Sequence, residues 1–371
     1  MHGTDRALFD LRRGQPVHIR NGRSAVIALP VEALDDPALA GLRRLSDEHL
    51  QLTLTAHRAS VLGVDAGSAD CVAVDPGPAA DCRRLLALAA AAGNPPEDVP
   101  GPCRPANTAQ RAALALARAG RLLPAVATVS VAARPQGTLG RLIEQSTMLS
   151  VPAHSALEAA SDRGVRPVRV SDARVPLEGA EASRFVLYRE TDGLLEHVAV
   201  VIGEPEEWPD PLPVRLHSAC LTGDLFGSLR CDCGEQLRSG VAAISRAGGG
   251  ILLYLAQEGR GIGLANKLRA YGLQDDGLDT VDADRMLGFG EDERRYDAAV
   301  AMLEDLGVRR IRLLTNNPEK ISALQQGGIE VVGRDALHGQ LTVHNRRYLT
   351  AKAERSGHWL AEVLRTEAMH G

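Results

Sequence analysis

The sequence predicts an α/β (α+β) protein of two domains, and three observations carry that prediction. The chain has 371 residues, more than an ordinary single domain needs and enough for two full cores. From residue 234 onward, short apolar runs alternate with helical patterns, which is the signature of strands joined by helical crossovers. Just before that, "RFVLYRE" and "HVAVVIGE" flank "TDGLLE", as in an antiparallel hairpin, so the second domain opens on a β-rich segment.

Taken in order, residues 8–31 read as a short helix followed by the strand "RSAVIAL". Residues 37–49 and 80–92 are helical in pattern, and the prolines of "GNPPEDVPGPCRP" (93–105) mark a loop. Residues 108–123 form a strong helix candidate with Thr108 as its N-cap. The strand "AVATVSVAA" follows, then helices near 139–149 and 154–163, and a strand that leads into a polar connection over 165–183. The domain boundary falls there, giving domains 1–171 and 172–371. In the second domain "VRLHSAC" is a strand. A helix at 234–247, the strand "GILLYLA", helices at 263–273 and 295–306, the strand "RIRLLT", a helix at 318–326 and the strand "IEVVGR" complete it.

Composition narrows the function classes. A hydrophobic share of 44% with 24% charged residues is that of an ordinary soluble chain, and with 3% aromatics the cores must be built from Ala, Leu and Val. The net charge of -5 excludes a general polyanion binder, so no nucleic-acid partner is expected. The N-terminus has no apolar signal-like run, and Leu85–Ala92 is too short to span a bilayer. No membrane partner and a cytoplasmic location are expected, where thiols stay reduced.

The cysteines are the first chemical signal. "CLTGDLFGSLRCDC" places Cys220, Cys231 and Cys233 within one short stretch, half of the six in the chain. A metal site, a disulfide element and buried filler are the three readings. A reducing compartment disfavours the disulfide, and Cys231 and Cys233 can face one way if their segment is extended. Three protein ligands with one position left for water is the pattern of a catalytic zinc, with His217 the nearest alternative fourth ligand. Cys71, Cys82 and Cys103 have no ligand-like spacing and read as buried filler.

Two further stretches sit where strands end. "QEGRGIGLANKL" follows a strand and opens a helix, but matches neither the dinucleotide fingerprint nor the P-loop. Its Glu258 can accept two hydrogen bonds from an amidine-like edge such as guanine N1–H and N2–H, with Arg260 beside it. "LLTNNPEKI" puts Thr315 at a strand end and Lys320 in the helix that follows, an arrangement suited to phosphate oxygens. "GFGEDERRYDA" is a charged loop holding Asp292, Arg294 and Arg295, and by itself reads as a solvated loop.

Together, "RLHSACLTGDLFGSLRCDCGEQL", "QEGRGIGLANKLRAYGLQDDGLDTVDAD", "LGFGEDERRYDAA" and "LLTNNPEKI" resemble the motifs of the GTP cyclohydrolase II family, in order and spacing, over about residues 175–365. The tail "NRRYLTAKAERSGHWL" is similar to that family's closing segment. The resemblance implies hydrolysis of GTP to formate, pyrophosphate and 2,5-diamino-6-(5-phosphoribosylamino)pyrimidin-4(3H)-one, the first step of riboflavin biosynthesis. It assigns zinc (Zn2+) to Cys220, Cys231 and Cys233, and GTP contacts to Arg215, Leu216, His217, Ser218, Ala219, Gln236, Glu258, Gly259, Arg260, Thr280, Thr315 and Lys320. Asp292 matches the proton acceptor, Arg294 the residue assigned as nucleophile, and Tyr271 a tyrosine near the purine. Mg2+ on the triphosphate and a homodimer are expected as well. Arg294 departs from chemical sense as a nucleophile, since a guanidinium stays protonated, and charge stabilisation suits it better. Ala219 stands where the family usually has glutamate.

The first ~170 residues resemble a diverged dihydroxybutanone-phosphate synthase domain. That enzyme needs an acidic loop and a His/Glu pair, yet Asp and Glu are absent between Asp10 and Glu32, and its His-Thr-Glu-Ala element reads Asn107-Thr108-Ala109-Gln110. An inactive domain is expected. Other readings of the whole chain are a non-catalytic GTP-binding regulator and a purine-nucleotide hydrolase with an altered product.

Overall fold

The computed structural model describes residues 2–46, 48–91, 103–161 and 166–337, and a few single positions beyond. Most of the 93–105 loop and of the tail motif therefore lies outside the described residues. Two compact units are formed, Met1–Arg163 with Ala265–Glu293, and Gly164–Leu264 with Arg294–Gly371. The division by sequence differs from this in one large respect. Residues 265–293, grouped above with the second domain, pack with the first.

The first unit is built on a seven-stranded sheet of β1 (Val17–Asn21), β2 (Ser24–Pro30), β3 (Gln51–Thr55), β4 (Cys71–Val74), β5 (Cys103–Pro105), β6 (Ala125–Ala132) and β7 (Leu149–Pro152). Its order is β5-β4-β3-β6-β2-β1-β7, antiparallel throughout except for the parallel β1/β7 pair. Ile27, Leu29, Leu52, Leu54, Val72, Val74 and Leu85 make its core, aliphatic as the low aromatic content requires. The helix over Thr108–Ala119 forms as expected, but its N-cap is Asn107, one residue earlier. Asn107 and Gln110 make a reciprocal capping box, which satisfies two orphan backbone donors. The helix near 139–149 is shorter, Gly137–Glu144, because the chain turns at Ser146 with φ 55° and then enters β7. Of the three cysteines read as buried filler, Cys71 is buried, Cys82 half-buried and Cys103 exposed on the edge strand β5.

The second unit carries β8 (Val168–Arg174), β9 (Ser183–Arg189), β10 (Glu196–Ile202), β11 (Leu212–Ser218), β12 (Gly250–Leu255), β13 (Arg310–Leu314) and β14 (Glu330–Asp335). The order is β14-β13-β11-β12-β10-β9-β8. β8, β9, β10 and β12 pair antiparallel, whereas β12, β11, β13 and β14 run parallel. The β-rich opening and the α/β continuation thus merge into one mixed sheet. Helices cover both faces: Met302, Leu303 and Leu324 pack on one, Ile244 on the other. No helix among the described residues is long and apolar enough to cross a membrane.

Candidate functional site

In open α/β sheets, ligands bind outside the carboxyl ends of the parallel strands. β11, β12 and β13 run in parallel and end on Ser218, Leu255 and Leu314. At these ends Ser218 Oγ, Gln257 Oε1 and Asn317 Nδ2 are buried with no hydrogen-bond partner among the described residues. Buried polar atoms cost free energy unless paired, so three of them at one sheet edge mark a place built for a polar ligand.

The thiols lie at the same edge. Cys220 follows β11, and Cys233 opens the helix Cys233–Arg246. The three Sγ atoms all lie within 4.8 Å of one another, with Cys220 and Cys231 3.6 Å apart, and none of the three is in a disulfide among the described residues. Their convergence has a different cause from the extended segment expected above. Asp232 sits at φ -100° and ψ 11°, so the chain turns between Cys231 and Cys233 and enters a helix. A hydrogen bond with the Cys220 thiol pushes the Cys231 thiol up, and burial adds to this. Metal binding must displace those protons.

Space for the cluster comes from two glycines. A Cβ on Gly223 would lie 2.8 Å from Cys231 Sγ and 3.1 Å from Cys220 Sγ. On Gly234 it would lie 2.2 Å from the Gly223 carbonyl oxygen. Gly223→Ala is therefore expected to weaken metal binding on the order of 10–100-fold, the range seen when a metal site's supporting shell is disturbed. Cobalt(II) titration followed by thiolate-to-metal absorption checks this.

His217 is not a fourth donor. It is buried, and its Nε2 lies 3.0 and 3.1 Å from the two carboxylate oxygens of Asp224. Burial pushes the imidazole down, leaving it neutral at pH 7 and donating through Nε2. It also stacks on Tyr254, with ring centroids 5.5 Å apart. Asp224 accepts from the Cys220 backbone N–H at 2.9 Å and from the Tyr254 hydroxyl at 2.9 Å. It thereby fixes the peptide that carries the first thiol. Sequence reading passed over Asp224 and Tyr254. The only signal was an acid four residues after Cys220, one helical turn on.

Glu258, Gly259 and Arg260 form a tight turn after β12. Arg260 takes φ 58° and Gly259 φ 62°, a left-handed conformation costly for a non-glycine residue. The Glu258 carboxylate accepts from the Leu221 N–H at 2.6 Å, linking this turn to the thiol loop. Gln257 Nε2 donates to the Arg295 carbonyl.

The cations expected at phosphate are turned inward. Arg215 is buried and donates to the Leu314 carbonyl at 2.9 Å and to Gln236 Oε1 at 2.6 Å. Burial pushes it down to about 10, so it stays charged at neutral pH. Lys320 is buried and donates from Nζ to the Leu216 carbonyl at 2.7 Å. The Leu216 side chain lies in the core, and the Ala219 N–H donates to the Leu255 carbonyl at 2.8 Å. Thr315 is buried, and its hydroxyl accepts from the Asn317 N–H at 3.0 Å. Arg294 also belongs to this unit.

Tyr271, Thr280 and Asp292 belong to the first unit. Tyr271 is on the helix Leu264–Asp275, with Lys267 Nζ 5.6 Å from its ring centroid. Thr280 opens the helix Thr280–Met286, which Asp279 caps, and Asp292 lies in the loop after it.

The family model described as GTP cyclohydrolase II matches residues 168–336, the stretch that contains the thiols and the strand ends. A GTP cyclohydrolase-2 from Azospirillum brasilense is 43% identical over 367 residues, covering 96% of this chain and 94% of that protein. The chain belongs to the GTP cyclohydrolase II family. A second member, from Xylella fastidiosa (strain 9a5c), is 40% identical over 363 residues, covering 95% of this chain and 86% of its own. A shorter GTP cyclohydrolase-2 from Pasteurella multocida matches over 192 residues at 46% identity, 52% of this chain and 87% of that protein. Family members thus exist both at about this length and at about six-tenths of it.

Proposed function

We propose that this chain is a zinc-dependent GTP cyclohydrolase II that converts GTP to formate, pyrophosphate and 2,5-diamino-6-(5-phosphoribosylamino)pyrimidin-4(3H)-one. The reading rests above all on the three-thiol cluster at a strand-end edge that also carries Glu258. Three thiolates with no fourth protein donor among the described residues suit a catalytic zinc, held by Cys220, Cys231 and Cys233. When bound, zinc supplies a water acidic enough to act as a nucleophile near neutral pH.

The chain's own residues do the rest. Glu258 accepts the guanine N1–H and N2–H and so orients the ring that is opened. Ser218, Gln257 and Asn317 offer buried polar atoms to the nucleotide. Arg215 and Lys320 lend positive charge to the strand ends from within the fold, which favours a triphosphate carrying Mg2+. Gln236 holds Arg215 in place. Gly259, Arg260, Thr280, Thr315 and Tyr271 are further substrate contacts on this reading, along with the backbone of Leu216, His217 and Ala219. Asp292 takes up the proton in the ring-opening chemistry, and Arg294 stabilises charge on the α-phosphate. The active form is a homodimer, and the product enters riboflavin biosynthesis.

The first unit has no synthase activity of its own on this reading. Asn107 and Ala109 stand where that domain's motif has its histidine and glutamate, and Asn107 is committed to a helix-capping box with Gln110. Gln110 is fully buried and donates to Gln51 at 2.8 Å and to Thr128 at 3.2 Å. Incubation with ribulose 5-phosphate is expected to yield no dihydroxybutanone phosphate above background. Release of formate and pyrophosphate from GTP, assayed with and without a zinc chelator, tests the main reading.

A further inference from the structure

Arg58 carries a buried cation that the proposed chemistry does not use. It is 2% exposed, and among the described residues every polar contact of its guanidinium is to an uncharged acceptor. Nε donates to the Leu88 carbonyl at 2.8 Å and Nη2 to the Ala87 carbonyl at 2.9 Å, both in the last turn of the helix Cys82–Ala90. Nη1 donates at 2.9 Å to the carbonyl of Met286, the last residue of the helix Thr280–Met286. Two helix C-termini, each with orphan carbonyls and the negative end of a dipole, converge on one guanidinium. One of those helices ends at the loop that holds Asp292.

A second contact grips that loop at Gly288, four residues before Asp292. The Thr55 hydroxyl donates to the Gly288 carbonyl at 2.8 Å, with both groups buried. Gly288 has φ +87°, and a Cβ there would lie 2.9 Å from Thr55 Oγ1 and 3.0 Å from Pro124 Cγ. Only glycine allows so close an approach. Phe289 is buried next in the chain, and Glu293 closes the loop by pairing with Arg118 at 2.7 Å and accepting from the Gly290 N–H at 2.9 Å. The loop is thus fixed at both ends by residues of the first ~120 positions.

We propose that Thr55 and Arg58 are positioning residues for the reaction, holding the Gly288–Glu293 loop and with it Asp292. This gives the otherwise inactive first unit a task in GTP hydrolysis. It rests on the reading of Asp292 as proton acceptor.

The test uses the full-length protein with Thr55→Val, Thr55→Ser and Arg58→Met. Thr55→Val keeps the shape and removes the hydroxyl. It is expected to lower kcat for formate release roughly 10-fold, with KM for GTP and zinc content unchanged, because a small misplacement of a reacting group is costly. Thr55→Ser is expected to restore kcat, and Arg58→Met to lower it further. Amide exchange over residues 287–293 is expected to speed up in Thr55→Val and Arg58→Met. A folded, zinc-loaded Thr55→Val with wild-type kcat and wild-type exchange over that loop overturns the proposal. A loss that Thr55→Ser fails to restore overturns it too. If the wild type itself releases no formate, the functional reading falls, and the exchange measurement alone decides whether these residues hold the loop.

Discussion

Cys231→Ser is expected to produce a folded protein that holds little zinc and releases no measurable formate from GTP. A serine hydroxyl does not ionise near neutral pH and is a poor ligand for a borderline-soft cation. Loss of a direct ligand should exceed the ~10–100-fold cost of losing an outer partner. Folding should survive because the thiol cluster lies at a strand-end edge, while the core of that unit rests on Val186, Val214, Leu216, Ile251, Leu253 and Met302. Metal analysis beside far-ultraviolet circular dichroism separates the two effects. Wild-type zinc content in this variant would remove Cys231 from the ligand set.

Glu258→Gln should be the second most damaging change, and its signature is selectivity. The carboxylate accepts from the Leu221 N–H at 2.6 Å and the Gly259 N–H at 3.1 Å, and in the proposed function it accepts the guanine edge as well. A glutamine keeps the size but has one acceptor oxygen and an NH2 that opposes the donors it must meet. Hydrogen bonds to a charged partner contribute about 1.5–3 kcal/mol each, so kcat/KM for GTP is expected to fall roughly 100-fold or more. ITP lacks the N2 amine, so the wild type should favour GTP over ITP, and the variant should lose much of that preference. Steady-state comparison of the two nucleotides checks it. An unchanged GTP-to-ITP ratio would place Glu258 away from the base.

Much of the fold was legible because its signals are local. The hairpin of β9 and β10, the apolar runs of β11, β12 and β13, and the helix Thr108–Ala119 each state their period within a few residues. The union of 265–293 with the first unit was not legible. Its contacts come from Arg58, Thr55, Arg118 and Glu32, 175 to 237 residues away in sequence, and no local pattern announces them. Residues 50–80 held β3, β4 and the helix Ala56–Val61, elements of four to six residues, too short to show a period.

At the site, spacing and residue type were enough to find the thiols, since three cysteines in one short stretch have few other uses. The sequence could not show how they converge, because a turn at Asp232 and the missing side chains of Gly223 and Gly234 accomplish it. Lys320 shows another limit of local pattern. A lysine in the first turn of a helix looks exposed in sequence, but its ammonium is buried and donates to the Leu216 carbonyl, 104 residues away. Asp224 was hidden for a related reason, as its role appears only once β11 and β12 bring His217 and Tyr254 to it.

The most direct test of the central claim is release of formate and pyrophosphate from GTP by the purified full-length protein, before and after zinc chelation. Both products are expected to appear with the pyrimidine, to stop on chelation and to return when zinc is restored. GTP binding to a zinc-loaded protein with no formate released would contradict it.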